Sequence, residues 1–250
     1  MYCFYTQTNL SKKMRRILSS ILMLVSVVSF AQTADEVIAS HIAARGGAEK
    51  LSAVKSVKME SNMAVAGMEL PVKMCIVNGV GTRMDLNAMG SDMTTVVDST
   101  GGWAINPMAG GTDPIKGTAA DLKGALVQLD LSNGLLDYKT KGSTVELQGK
   151  EAVGGADAFK LKLTLKNGAA ITHFIDAKSY NLVKTVAVAN LGGQEFEATT
   201  SYSNFKAVDG IVFPFMNEVS HPQFGSMATT LTKIEVNPTI DPAVFAFPKK

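Results

Sequence analysis

Three histidines, His41, His173 and His221, are the imidazoles in this 250-residue chain that could do acid-base chemistry or hold a metal. None stands in a pattern that performs either. The sequence has no His-Glu-x-x-His pair, no Gly-x-Ser-x-Gly elbow and no phosphate-cradling Gly-x-x-x-x-Gly-Lys-Ser/Thr loop. His41 falls near the C-terminal end of an expected helix, where the helix dipole mildly favours a cation. His173 alternates with Thr172 and Phe174 on an expected strand, and His221 precedes Pro222 in an expected loop. Neither has a sequence-local carboxylate to orient it as a base. Glu195 and Glu197 share one strand face, which a solvated surface explains. No catalytic residue, metal ligand or cofactor is therefore assigned, and an enzymatic reading has to rest on an Asp or His scattered along the chain, most plausibly in a hydrolase.

Methionine is the unusual feature. It occurs at 59, 63, 68, 74, 84, 89 and 93, all within the first expected strands. A thioether side chain is flexible and polarizable and repacks around variable alkyl groups, which suits the lining of an apolar cavity; a Met-rich sheet core without a ligand is the plainer alternative. Met59, Met63, Met74 and Met84 fall on one face of the alternating pattern and are the expected cavity-lining residues. Trp103 is expected either at the cavity mouth or as an ordinary buried aromatic. Thioethers also suit Cu(I), but the methionines are spread over several strands without a compact cluster.

The elements that must position these residues begin with a helix. Thr33 and Glu36 have the spacing of a capping box, Val37, Ile38 and Ile42 recur at helical spacing, and Gly46-Gly47 supplies its end before a short turn over 48–54. From Ser56 the apolar period becomes two: Val57, Met59 and Met63, then Val72, Met74 and Ile76, then Met84 and Leu86. Gly67, Asn78-Gly79 and Gly90-Ser91 mark the turns between these strands. Residues 106–117, with Gly110-Gly111 and Asp113-Pro114, are expected to be irregular. Leu122, Ala125, Leu126 and Leu129 then form one apolar helical stripe that Asn133-Gly134 ends. Further strands are expected at 160–166, 171–176, 182–189, 194–204 and 227–236. Strands that follow one another without intervening helices give a mainly β, antiparallel sheet.

At the N-terminus, Lys12, Lys13, Arg15 and Arg16 stand before an apolar run from Ile17 to Phe30. This has the form of a secretory signal peptide with cleavage after Ala31, and Met14 is an alternative start. Residues 1–31 hold four of the 24 basic residues and none of the 22 acidic ones, so the remainder carries −2. Such a balance offers no electrostatic footprint for nucleic acid. Cys75 would be the single cysteine left after cleavage, expected as a small buried hydrophobe. The expectation is a periplasmic protein with one domain over 32–250.

Four stretches together resemble the Lol-type lipoprotein carriers and the outer-membrane lipoprotein-sorting proteins. They are Ala43 to Leu51; Phe174 to Lys184, with its Asp-x-Lys turn and Leu-Val-Lys strand; Tyr202 to Pro214, with Val-Asp-Gly and Phe-Pro; and Asn237 to Pro248. The resemblance implies an incomplete barrel: a strongly curved antiparallel sheet closed over by an N-terminal helix and a plug helix, with an apolar cavity between. It makes the 122–129 helix the plug, with Leu122 and Leu126 facing the cavity. It implies non-covalent sheltering of lipid or lipoprotein acyl chains, transient membrane contact and an envelope protein as a further partner. A structural or interaction module without a cavity is the remaining alternative.

Overall fold

The computed structural model describes residues 32–248 except 66, 89, 100, 108–110, 118–128, 192–193 and 222–224. The described residues begin with two helices, α1 at Ala34–Ala44 and α2 at Ala48–Ala53. The capping box is formed: the Glu36 amide donates to Thr33 Oγ1 at 3.2 Å and the Thr33 amide to Glu36 Oε2 at 2.8 Å. At the other end the Gly47 amide donates to the Ile42 carbonyl at 2.9 Å, with Gly46 and Gly47 at φ of 118° and 93°. Only glycine adopts those angles without strain, so the corner falls where the Gly-Gly pair stands.

Thirteen antiparallel strands follow in one sheet. They are β1 Ser56–Val65, β2 Met68–Val77, β3 Gly81–Ala88, β4 Ser91–Asp98, β5 Trp103–Ile105, β6 Ile115–Lys116, β7 Thr144–Val153, β8 Ala156–Thr164, β9 Ala170–Asp176, β10 Leu182–Leu191, β11 Gln194–Val208, β12 Ile211–His221 and β13 Gly225–Val236. Each pairs with its sequence neighbour, except that β1 pairs with β13 and β6 does not meet β7. The sheet is curved and stays open, its edges being β6 and β7. This is the mainly β, incomplete-barrel architecture expected from the sequence. Right-handed twist curls a sheet of this width, and ladder irregularities at Glu60/Ser61, Leu147/Lys150 and Leu182/Lys184 sharpen the curl locally.

The main core lies between α1 and one face of the sheet. Val37, Ile38 and Ile42 of α1 meet Val57, Ile76, Phe159, Leu161, Ile175 and Phe213. A second cluster of Val96, Trp103 and Phe245 lies on the opposite face of β2–β5. The parity follows from the register: Met74 opposes Met84 and Met59, whereas Cys75 opposes Arg83, and Arg83 opposes Val96, which opposes Trp103. A single 3₁₀ turn at Pro242–Phe245 covers that second face.

Some elements differ from expectation. The irregular stretch 106–117 contains the two-residue strand β6, which pairs with β5. Strand β7 has no clean sequence signature, because the bulge around Gly149 breaks the alternation begun by Val145 and Leu147. Pro214 lies within β12. It is tolerated there because β12 pairs with β13 only from Met216 onward, so the position is locally an edge. The expected plug helix, with Leu122 and Leu126, lies outside the described residues; Leu129 at its end is buried. Among the described residues no helix is long and apolar enough to cross a membrane.

Candidate functional site

The splaying of β12 from β13 shapes the site. Where β13 leaves, the α1–α2 corner takes its place, and the Val212 amide donates to the Arg45 carbonyl at 3.0 Å. The approach is so close that a Cβ on Gly46 would stand 2.3 Å from the Gly210 carbonyl oxygen. Gly210 turns the β11–β12 hairpin together with Asp209, at φ of 76° and 52°, as the Asp-Gly pair requires. Wedging the corner against the hairpin holds the Arg45 side chain between the helices and the sheet.

Beside this corner is a cavity of about 300 Å³. Its wall is mostly apolar: Val57 and Met59 of β1, Met74 and Ile76 of β2, Leu182 of β10, Phe213 of β12, and Leu131 from the segment after 128. Tyr202, buried enough to raise its phenol pKa, contributes its ring from β11. Polar residues interrupt the wall, among them Arg45, Thr82, Asp130, Asn133 and Asn181. Arg45 is 8% exposed, and its Nη1 donates to the Leu131 carbonyl at 3.0 Å. Burial draws its pKa down to about 10, and the neighbouring Asp130 charge opposes that fall. Asp130 itself pairs with Lys141 Nζ at 2.6 Å and accepts from the Ser132 hydroxyl at 2.5 Å.

The structure brings Met59 and Met74 into this wall, opposite one another in the β1–β2 register. Met84 pairs with Met74 on the same sheet face, and Met63 lies farther along β1; neither contributes to the wall. Trp103 is not at the cavity mouth. It sits on the other face of the sheet, where its Nε1 donates to the Phe245 carbonyl at 2.9 Å. Cys75 is half-buried on that same face, and burial raises its thiol pKa. Sequence reasoning missed Arg45, Asp130 and Tyr202. The available signal for Arg45 was its place directly before Gly46-Gly47, where a helix corner has to turn back onto the sheet.

His41 and His173 are fully buried in the core between α1 and the sheet. His41 Nδ1 donates to the Tyr180 carbonyl at 2.8 Å, and His173 Nε2 donates to the Asn133 carbonyl at 3.0 Å, since a carbonyl only accepts. His173 Nδ1 is then the acceptor for the Thr185 hydroxyl at 3.2 Å. His41 Nε2 is left without a hydrogen-bond partner. Burial lowers both pKa values to about 4, which overrides the dipole preference for a cation at the end of α1. The pair props α1 and the Asn133 loop against β9 and β10. The side chains of His221 and Glu195 lie outside the described residues. Among the described residues no three of His, Cys, Asp and Glu converge as a metal site would require.

Solved structures share the fold, among them the following three. A LolA superfamily protein from Nitrosomonas europaea superposes with a TM-score of 0.54 at 14% identity, over 88% of this chain and 99% of that one. A domain described as an outer membrane lipoprotein-sorting protein from Vibrio parahaemolyticus gives 0.51 at 14% identity, over 84% and 94%. A DUF1329 family protein from Desulfovibrio piger gives 0.50 at 11% identity, over 86% and 98%. No family model and no curated protein sequence matches the chain. At these identities the likeness is one of fold, and the fold is LolA-like.

Proposed function

We propose that the protein is an exported, non-catalytic carrier that shelters an acyl or alkyl chain of a lipid or lipoprotein in the cavity beside Met59 and Met74. The observation that carries this reading is the cavity itself, a mostly apolar hollow among the described residues. Its volume is about 300 Å³, at the lower end of small-molecule pockets and suited to one chain rather than several. Each buried methylene contributes about 0.8 kcal/mol, so one sheltered chain supports useful affinity without specific polar contacts.

Several features support the reading. The fold is shared with a protein described as lipoprotein-sorting. The basic and apolar segment over 12–30 fits an export signal removed after Ala31, which would deliver the chain to the periplasm. From there it would touch membranes transiently and pass cargo to an envelope protein. Catalysis is disfavoured by the state of the titratable groups. The buried histidines do not line the cavity, and Asp130 is engaged by Lys141 and Ser132.

Native mass spectrometry of the full-length gene product, exported by its own host and purified without detergent, tests the proposal. The expected result is a co-purifying acylated species that is lost in a folded Met59→Glu, Met74→Glu variant. A clean apo mass with no uptake of added phospholipid or lipopeptide sinks it and moves the reading to an interaction module.

A further inference from the structure

Arg45 is a buried cation in the wall of a mostly apolar cavity. Among the described residues no carboxylate forms an ion pair with it. One of its N–H groups is used, by the Leu131 carbonyl, and its guanidinium nitrogens are not sealed from the cavity, because among the described residues the single fully buried, unpartnered side-chain atom is His41 Nε2. Asp130 acts on Arg45 only at a distance, opposing the fall of its pKa, while the Asp130 carboxylate itself is bonded to Lys141 at 2.6 Å. A charge removed from water without a directly bonded carboxylate is costly, and a protein that merely needed to fill this wall could use an apolar residue. Asn133 and Asn181 border the same wall.

We infer that the cavity takes a single-chain amphiphile with an anionic head, its carboxylate or phosphate received by Arg45 and its alkyl chain lying along Met59, Met74 and Phe213. This rests on the carrier reading and gives it a substrate class. The planar guanidinium fork matches both head groups, and a charge-assisted hydrogen bond in a water-poor wall is stronger than a neutral one. With a pKa of about 10, Arg45 stays charged at neutral pH, so the contact is available under ordinary conditions. The site discriminates by head-group charge rather than by chain, because the thioether wall is adaptable and the guanidinium is not.

Displacement of the neutral fluorophore N-phenyl-1-naphthylamine from the full-length protein at pH 7.5 tests this, with dodecanoate, dodecyl phosphate and dodecanol as competitors. Dodecanoate or dodecyl phosphate should compete about tenfold or more better than dodecanol, and whichever is stronger identifies a fatty acid or a phosphate-bearing lipid as the source. Arg45→Gln should close the gap between anion and alcohol. Equal competition by all three overturns the anionic head while leaving the carrier reading intact. Failure of the fluorophore and of every competitor to bind overturns the carrier reading itself. Should Arg45→Gln not fold, the comparison of anion with alcohol on the unaltered protein still decides.

Discussion

Strands β2 to β5 carry Met74, Ile76 and Thr82 on one face and Val77, Val96 and Trp103 on the other, and the two faces are covered in opposite ways. The second face is locked. Trp103 donates to the Phe245 carbonyl, Arg83 donates to the Val244 carbonyl at 3.0 Å, and Arg83 pairs with Asp85 at 2.8 Å, so one short turn is tied down by aromatic packing and directed bonds. The first face is propped by α1 at one end and left hollow at the other, with adaptable thioethers around the space. Close packing and directed bonds give rigidity, whereas flexible side chains around a void give room. The same strands therefore build a clamp on one side and a receptacle on the other.

The largest expected difference between the faces is their response to acid. His41 and His173, on the cavity side, have folded pKa values near 4 against about 6.5 unfolded, so the unfolded state takes up protons first as pH falls. Stability from these groups is fully present above about pH 6.5 and is lost between there and pH 4, by up to about 1.4 kcal/mol per pH unit for each histidine. Urea unfolding followed across this window should show the decline, and His173→Gln should reduce its slope. A flat profile would mean that the histidines are not held neutral by burial.

Next comes Phe245→Ala, which empties the centre of the clamp and should cost about 3–5 kcal/mol in chemical denaturation. Gly81→Ala should follow at about 1–3 kcal/mol, since its new Cβ would stand 2.7 Å from Phe245 Cγ and force the ring aside. The smallest effect on stability belongs to Met74→Ala. This half-buried side chain borders a space that already exists, so about 1 kcal/mol or less is expected, with a measurable change in fluorophore uptake instead. If Met74→Ala proved as costly as Phe245→Ala, the hollow and the clamp would not differ in packing as described.

Much of the fold was legible in the sequence because its signals are local. The capping box at Thr33 and Glu36, the Gly46-Gly47 corner and the Asp209-Gly210 hairpin each draw on residues a few positions apart. The alternation of Val72, Met74 and Ile76 likewise announced a strand with one buried face. Strand β7 was hidden because a bulge resets the alternation, and β6 because two residues in a Gly- and Pro-rich stretch carry no periodicity of their own. In the candidate site, Met59 and Met74 could be read from parity, whereas nothing local to Arg45 marks it as buried. Trp103 could not be assigned a face, since β5 is too short to show a pattern.

By itself the sequence determined that the chain is mainly antiparallel β with a capped helix in front, because hydrogen-bonding propensities, turn conformations and side-chain alternation act over a few residues. Only the tertiary structure decided which face became the receptacle and which the clamp. That choice depends on β1 pairing with β13, on the helix corner docking where β12 parts from β13, and on the chain's end folding back over Trp103. These contacts join residues far apart in the chain, and a buried cation such as Arg45 gains its meaning from what surrounds it in space.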